Sequence, residues 1–413
     1  MVYTTSDLIA VTAYGAKGDG TTDDTAAIQA ALEAAGSLAT GVWFPPASGG
    51  CYRTTGVSVP AYVTGLYGSA SLSRADGPTV TALTGSVLAP ASGAVTSLLT
   101  VGSPGSGSFV AANPHGLMVD GLGFLGLTAD GASVPGMWGV VVTDTSDVTL
   151  IRCRDLYCDA PDFPGYPSGG NGPGGFARFL SSGSGNGFAE NARILFCGSY
   201  GAGQFVQADG TVAGAGGSTD GRVVSCQVNG HNYGIRLGPA NAGTGGWAIL
   251  ESHLSSTHSA SHITYGSAGA PWTLRVEACY LDVCAGTPLI CDGRGLIATG
   301  NYIRAGTTGS NMVAISFGTG LTTQGRDPAA VVQGNTFDLN GSASVQALAQ
   351  FNGFTAADVA SYGGGEYRNN LAHNHGDPMP ASWAGQWTGS DGLAVASTTT
   401  PTLDLATGPV LSE

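Results

Sequence analysis

The chain has 413 residues, 68 of them glycine, with only 10% charged and a formal net charge of −14. That balance, with Lys17 as the single lysine, excludes sequence-independent nucleic-acid binding, which needs a basic face to neutralise phosphates. So much glycine and so little charge also exclude an ordinary helical protein, and suit a solenoid whose stacked coils bury long strands and turn sharply.

The opening MVYTTSDLIAVTAYG lacks a basic n-region and a long apolar h-region, which predicts no signal peptide. No uninterrupted apolar run reaches ~18 residues, so no membrane insertion is expected. The next stretch, AYGAKGDGTTDDTAAIQAALEAAG over residues 13–36, organises the reading. Ile28, Ala31, Leu32 and Ala35 recur at helical spacing and define one apolar face. Asp23 or Asp24 is the expected cap, since a carboxylate there accepts from the orphan amides of the first turn. Gly36 is the expected left-handed stop. The Asp19, Asp23, Asp24 cluster reads as capping and turn chemistry rather than as a metal site. GVWFPP at 41–46 reads as a short apolar strand ended by two prolines.

YGAKGDGTTDDTAAIQAAL, followed by GVWFPP and Cys51-Tyr52, closely resembles the N-terminal cap of the pectate-lyase-like proteins. These include phage tailspikes, glucanases and pectin-active enzymes. The resemblance implies an all-β fold, a right-handed single-stranded parallel β-helix whose first open coil is plugged by an N-terminal capping α-helix. It covers about the first fifty residues and speaks to architecture, not to activity.

Residues 55–115, rich in Gly, Ser, Thr and Ala, read as irregular first coils. From Leu117 a repeat emerges. Its turn positions are Leu122, Cys153, Cys197, Cys226, His253, Cys279, Asn301, Asn335 and Asn370, roughly 22–44 residues apart. Three residues before each stands an inward apolar residue: Val119, Leu150, Ile194, Val223, Leu250, Val276, Ala298, Val332 and Tyr367. The cysteines of this ladder point to buried free thiols rather than to a disulfide framework. Most repeats add a further strand, where alternation turns Ile235, Leu237, Ile263, Tyr265, Ile315 and Phe317 inward. The outward column is then Gln207, Arg236, Thr264, Ile290, Ser316 and Gln350, a face suited to a carbohydrate. The expected organisation is a cap and first strand over 1–55, the β-helix over 56–375, and a closing, trimer-contact segment over 376–413 that carries Trp383 and Trp387.

Glycoside hydrolysis needs paired carboxylates about 5–9.5 Å apart. Asp209, Glu251 and Asp292 are the candidates on or near the outward face. Asp209 and Asp292 fall several coils apart, so Asp209 pairs better with Asp220 or Glu251. The alternative chemistry is a lyase, with His258, His262 and Tyr265 as base and acid and Arg236 one coil away holding a uronate carboxylate. Catalytic candidates are therefore Asp209, Glu251, Asp220 and His262. Substrate-binding candidates are Arg236, Tyr265, Asp292, Gln207 and Tyr166, the last in the proline-rich insertion 159–175 that is expected to overhang a groove. His258 and His262 bridge a turn into a strand rather than sharing a helix face, so no metal is expected, and no cofactor pattern is present. The polygalacturonase signatures and the Arg-x-Pro-x-x-Arg of calcium-dependent pectate lyases are missing.

By resemblance to tailspikes, the expectation is a homotrimeric, virus tail-associated protein in the virion, or at least extracellular, binding a bacterial surface polysaccharide. Whether it also depolymerises that glycan stays open. A secreted bacterial polysaccharide lyase or glycoside hydrolase, and a non-catalytic structural tail protein, are the alternatives.

Overall fold

A computed structural model describes residues 7–74, 80–104, 113–161, 166–170, 172–182, 189–210, 218–238, 244–266, 273–293, 295–304, 312–317, 330–338, 345–351, 366–368, 370–373, 395–396 and 402–403. Each coil contributes one strand to each of three long sheets of 12, 11 and 12 strands. Strands pair in parallel with their counterparts one coil away, which makes the chain a right-handed parallel β-helix. Trp383 and Trp387 lie outside the described residues. At that end Thr402–Leu403 pairs antiparallel with Ala349–Gln350 and covers the strand edge.

The cap is helix α1, Thr25–Leu38, which buries Ile28, Ala31, Leu32 and Ala35 on the first coil. Its end differs from expectation. The helix passes through Gly36 and stops at Ala39, which takes the left-handed conformation. A Cβ on Gly36 would sit 2.9 Å from the Ala61 carbonyl oxygen, so this glycine permits close approach rather than a stop. Asp24 does not cap α1 with its side chain. Its carboxylate accepts from the backbone N–H groups of Lys17 and Gly18 and fastens the preceding turn. Asp23 instead accepts from the Thr25 N–H at 3.0 Å. The described residues among 55–115 are more regular than their composition suggests. Val57–Val59 already pairs with Leu99–Val101, and the excursion between them includes a hairpin of Ser71–Arg74 with Val80–Thr84.

First and second sheets meet at a one-residue corner. Arg152, Phe196, Ser225, Glu251 and Ala278 occupy it in successive coils, all with φ between 51° and 54°. Each corner N–H donates to a carbonyl one coil further on, as in Arg152 to Leu195 and Glu251 to Glu277. The next residue points inward as the ladder: Cys153, Cys197, Cys226, Ser252, Cys279, Asn301, Asn335 and Asn370 are all buried. The thiols donate to carbonyls of the preceding coil, and the asparagines extend the same pattern, with Asn301 Nδ2 donating to the Val276 carbonyl at 2.8 Å and also to Asn335 Oδ1 of the next coil at 2.9 Å. Ser252, not His253, holds the ladder position. Ile249 is therefore the inward residue of that coil, and Leu250 faces out. The one-residue slip arises because Glu251-Ser252-His253 offers three polar residues in a row, and a shift of one reverses every side chain.

Inside the second sheet Asp155 is fully buried, accepting from Ser199 Oγ at 2.7 Å. Burial pushes its carboxyl up to about 7. The folded chain thus keeps a proton that the unfolded chain releases above its ordinary carboxylate range. Stability is full below about pH 4 and falls as pH rises towards 7. Asp155→Asn, which preserves an acceptor for Ser199, is predicted to stabilise the chain by about 2 kcal/mol or more at pH 8 and to change nothing at pH 4, as read by denaturant unfolding at the two pH values.

Candidate functional site

The third sheet has the longest strands, among them Trp138–Thr143, Gly175–Ser181, Gln204–Gly210 and Tyr233–Leu237. Its inward rows, Val140-Ala177-Val206-Ile235-Ile263 and Val142-Phe179-Ala208-Leu237-Tyr265, form the core. Between them runs the outward row Val141, Arg178, Gln207, Arg236, Thr264, Ile290 and Ser316, one residue per coil, with Gln350 paired in register to Ser316. A neighbouring row in the same register holds Trp138, Gly175, Gln204, Tyr233 and Ser261.

Two aromatic–guanidinium pairs define the site. The Arg178 guanidinium lies 5.7 Å from the Trp138 ring centroid, and that of Arg236 lies 4.4 Å from Tyr233. Among the described residues neither arginine belongs to an ion pair. Arg178 Nε, Arg236 Nε, Gln204 Oε1 and Thr264 Oγ1 are all buried without a hydrogen-bond partner. Gln204 does use its other end, donating to the Pro173 carbonyl at 3.0 Å. Such atoms are uncommon in a folded chain, and here four lie on one face of consecutive coils. Burial holds the Arg178 guanidinium below its usual range, and Asp209 opposes that shift.

The other predicted residues distribute unevenly. Gln207 and Arg236 share the row, and Asp209 lies at the end of the same strand as Gln207, buried, with Oδ1 accepting from the Gly210 N–H. Asp292 is on this sheet three coils from Asp209, about 14 Å along the axis, and burial raises its carboxyl. That spacing exceeds what a hydrolytic pair spans. Glu251 is an exposed corner residue between first and second sheets, accepting from Ser225 Oγ at 3.1 Å. Asp220 holds a second left-handed corner, which leads into the first sheet. The fold therefore separates both from the Asp209 face, and the expected Asp209–Glu251 pairing does not form. Tyr265 is fully buried in the core.

His262 is also inside. Its Nε2–H donates to the Asp282 carbonyl, which leaves Nδ1 to accept from His231 Nε2–H at 2.9 Å. Both rings are fully buried, and burial lowers His262 to about 4 and holds His231 well below its usual range. This pair is a neutral core element at pH 7, not a surface base. Tyr166 anchors the insertion rather than overhanging the site. It stacks on Tyr200 with centroids 5.9 Å apart and meets Tyr157 edge-on. Gly230 makes room for it, since a Cβ there would fall 1.8 Å from the Tyr166 hydroxyl. Asp159 closes the same insertion by accepting from the N–H groups of Gly136, Gly172 and Gly174. Sequence reasoning missed Arg178, Trp138, Gln204 and Tyr233. Extending the outward column one coil back into the strand GFARFLS would have reached Arg178.

Residues 8–91 match the family described as rhamnogalacturonase A/epimerase, pectate lyase-like. Among solved structures, the DFA-IIIase from Arthrobacter chlorophenolicus A6 without its lid is 14% identical, with a TM-score of 0.55 over 90% of this chain and 90% of that one. The same enzyme in complex with GF2 gives 13% identity and a TM-score of 0.54 over 90% and 88%. The mannuronan C-5 epimerase AlgE4 A-module of Azotobacter vinelandii gives 15% and 0.45 over 88% and 94%. No curated protein matches the chain by sequence. The chain thus has the parallel β-helix fold, and the pectate-lyase-like match covers residues 8–91. Among the described residues no helix is long and apolar enough to cross a membrane.

Proposed function

We propose that this chain is a bacteriophage tail-associated, spike-like protein that binds an acidic bacterial surface polysaccharide along the outer face of its third sheet. The observation that carries this reading is the run of unpartnered polar atoms at Arg178, Gln204, Arg236 and Thr264. In a chain of net charge −14, arginines readily find carboxylates, as Arg152, Arg275 and Arg304 do. Arg178 and Arg236 instead rest near aromatic rings, which leaves their planar forks for an outside carboxylate. They are two coils apart, about 10 Å along the axis, so one extended anionic chain reaches both.

The virion assignment is supported by the eight cysteines, all buried thiols outside any disulfide. Stacked thiols stay reduced when a chain folds in a cytoplasm rather than crossing an oxidising compartment. The proposed homotrimer is supported by the outer face of the first sheet. There Ile151, Leu195, Val224 and Leu250 stack as a half-buried apolar column, beside Phe196, which is 53% exposed. Cleavage is the second reading, favoured by Asp209, a buried carboxylate two residues from Gln207 whose charge acts on Arg178. It would hold equally for a secreted lyase or hydrolase.

Retardation of the chain in gels containing host envelope polysaccharide tests the glycan reading. Arg178→Ala and Arg236→Ala are each predicted to weaken binding by about tenfold, the loss of one charge-assisted contact, and 0.5 M salt is predicted to weaken the wild type (~3–4 Å screening length). Unchanged binding by both variants contradicts it. An absorbance rise from unsaturated uronates marks a lyase, new reducing ends alone a hydrolase, and binding with neither a non-catalytic spike. For assembly, light scattering is predicted to give three times the 41.0 kDa chain mass. The double variant Leu195→Asp, Val224→Asp is predicted to fall to the monomer, and a monomeric wild type contradicts the trimer.

A further inference from the structure

The outer face of the second sheet carries a group of side chains that neither the core nor the third-sheet site uses. His253, Tyr280 and Tyr302 hold one register position in three successive coils. The residues that follow them, Leu254, Leu281 and Ile303, are fully buried, so the aromatic side chains stand on the outside. Ring centroids are 4.8 Å apart for His253 and Tyr280 and 4.6 Å for Tyr280 and Tyr302, with planes inclined by 58° and 34°. Inclined neighbours do not cover Tyr280 completely, and it is 40% exposed.

Beside this ladder, Arg304 lies between two carboxylates. Its Nη1 is 3.3 Å from Asp282 Oδ1 and its Nε 3.7 Å from Asp338 Oδ2. The Tyr302 hydroxyl donates to Asp338. Asp282 sits where the strand Tyr280–Cys284 carries one residue more than its partner, and the register breaks between Leu254 and Ser256. An extra residue of this kind re-aims a side chain, and such irregularities concentrate beside binding sites.

We infer that this face is a second carbohydrate site, specific for a neutral pyranose chain. An exposed aromatic ring receives the apolar C–H face of a sugar while its neighbours hold it rigid. Alongside it the part-exposed Asp282 carboxylate and Arg304 guanidinium accept from and donate to adjacent hydroxyls in fixed directions, while buried Asp338 holds Tyr302 and Arg304 in place. Charge separates the two faces. On the third sheet two unpaired arginines favour an anionic chain; here two carboxylates outnumber one guanidinium and disfavour it. The inference does not depend on the acidic-glycan reading, and each can fail without the other.

Saturation-transfer NMR and titration calorimetry on the full chain test it, with maltohexaose and cellohexaose as neutral probes and a polygalacturonate oligomer as the anionic one. At least one neutral probe is expected to bind with transfer from tyrosine protons. Tyr280→Ala is expected to weaken that binding at least tenfold, whereas Tyr280→Phe and Arg236→Ala leave it within twofold. Thermal melts of both Tyr280 variants separate lost binding from lost packing. If Tyr280→Ala melts like the wild type, the loss belongs to the site; if it unfolds, a weakening of at least fivefold by Asp282→Asn serves in its place. Absence of binding by both neutral probes overturns the inference. So does undiminished binding by folded Tyr280→Ala, or by Asp282→Asn where Tyr280→Ala does not fold.

Discussion

Everything outside the solenoid depends on how each coil turns between its first two sheets. One residue does it, in the left-handed region at about 1–2 kcal/mol for a residue with a Cβ, and phenylalanine, arginine and glutamate all accept that strain here. What offsets it is repetition. Each corner N–H reaches a carbonyl of the next coil, and the buried residue after it, cysteine, serine or asparagine, bonds the coil before. Corner and ladder together hold successive coils in step. That lock carries over to the third sheet, where it places Arg178, Gln207 and Arg236 in one row.

Much of this was legible in the sequence because it repeats. The cap announced itself through an amphipathic run short enough to need an apolar platform, and the ladder through Cys153, Cys197, Cys226 and Cys279. Alternation then assigned the inward and outward rows of the third sheet from Gln207 to Ser316 as they occur. It failed where local polarity hid the phase, at Ser252, and where small residues hid regular strands, as in residues 55–115. The end of α1 was misplaced because Gly36 is required by a neighbouring backbone, a tertiary demand that no local pattern carries.

The site was harder to read for a related reason. Carboxylates and histidines attract attention by type, but a solenoid decides their role by phase. Glu251 and Asp220 occupy corners, and His262 and Tyr265 fall inside, so chemistry that looked adjacent in the chain is split between surface and core. The residues that mark the face, Arg178 and Arg236, are notable for what they lack. Among the described residues neither forms an ion pair, although Asp209 acts on Arg178, and each stands beside an aromatic ring on the sheet with the longest strands. The second sheet does the opposite, and closes Arg304 between Asp282 and Asp338. One scaffold thereby presents two faces of different electrostatic character.

The central claim is that the unpaired arginine row receives the acidic glycan. The most direct measurement is a crystal structure of the chain soaked with an acidic oligosaccharide from the host envelope. The account predicts sugar lying along the third sheet, with its acidic groups within hydrogen-bonding distance of the Arg178 and Arg236 guanidiniums. Ordered sugar elsewhere on the solenoid, with both arginines untouched, would contradict it.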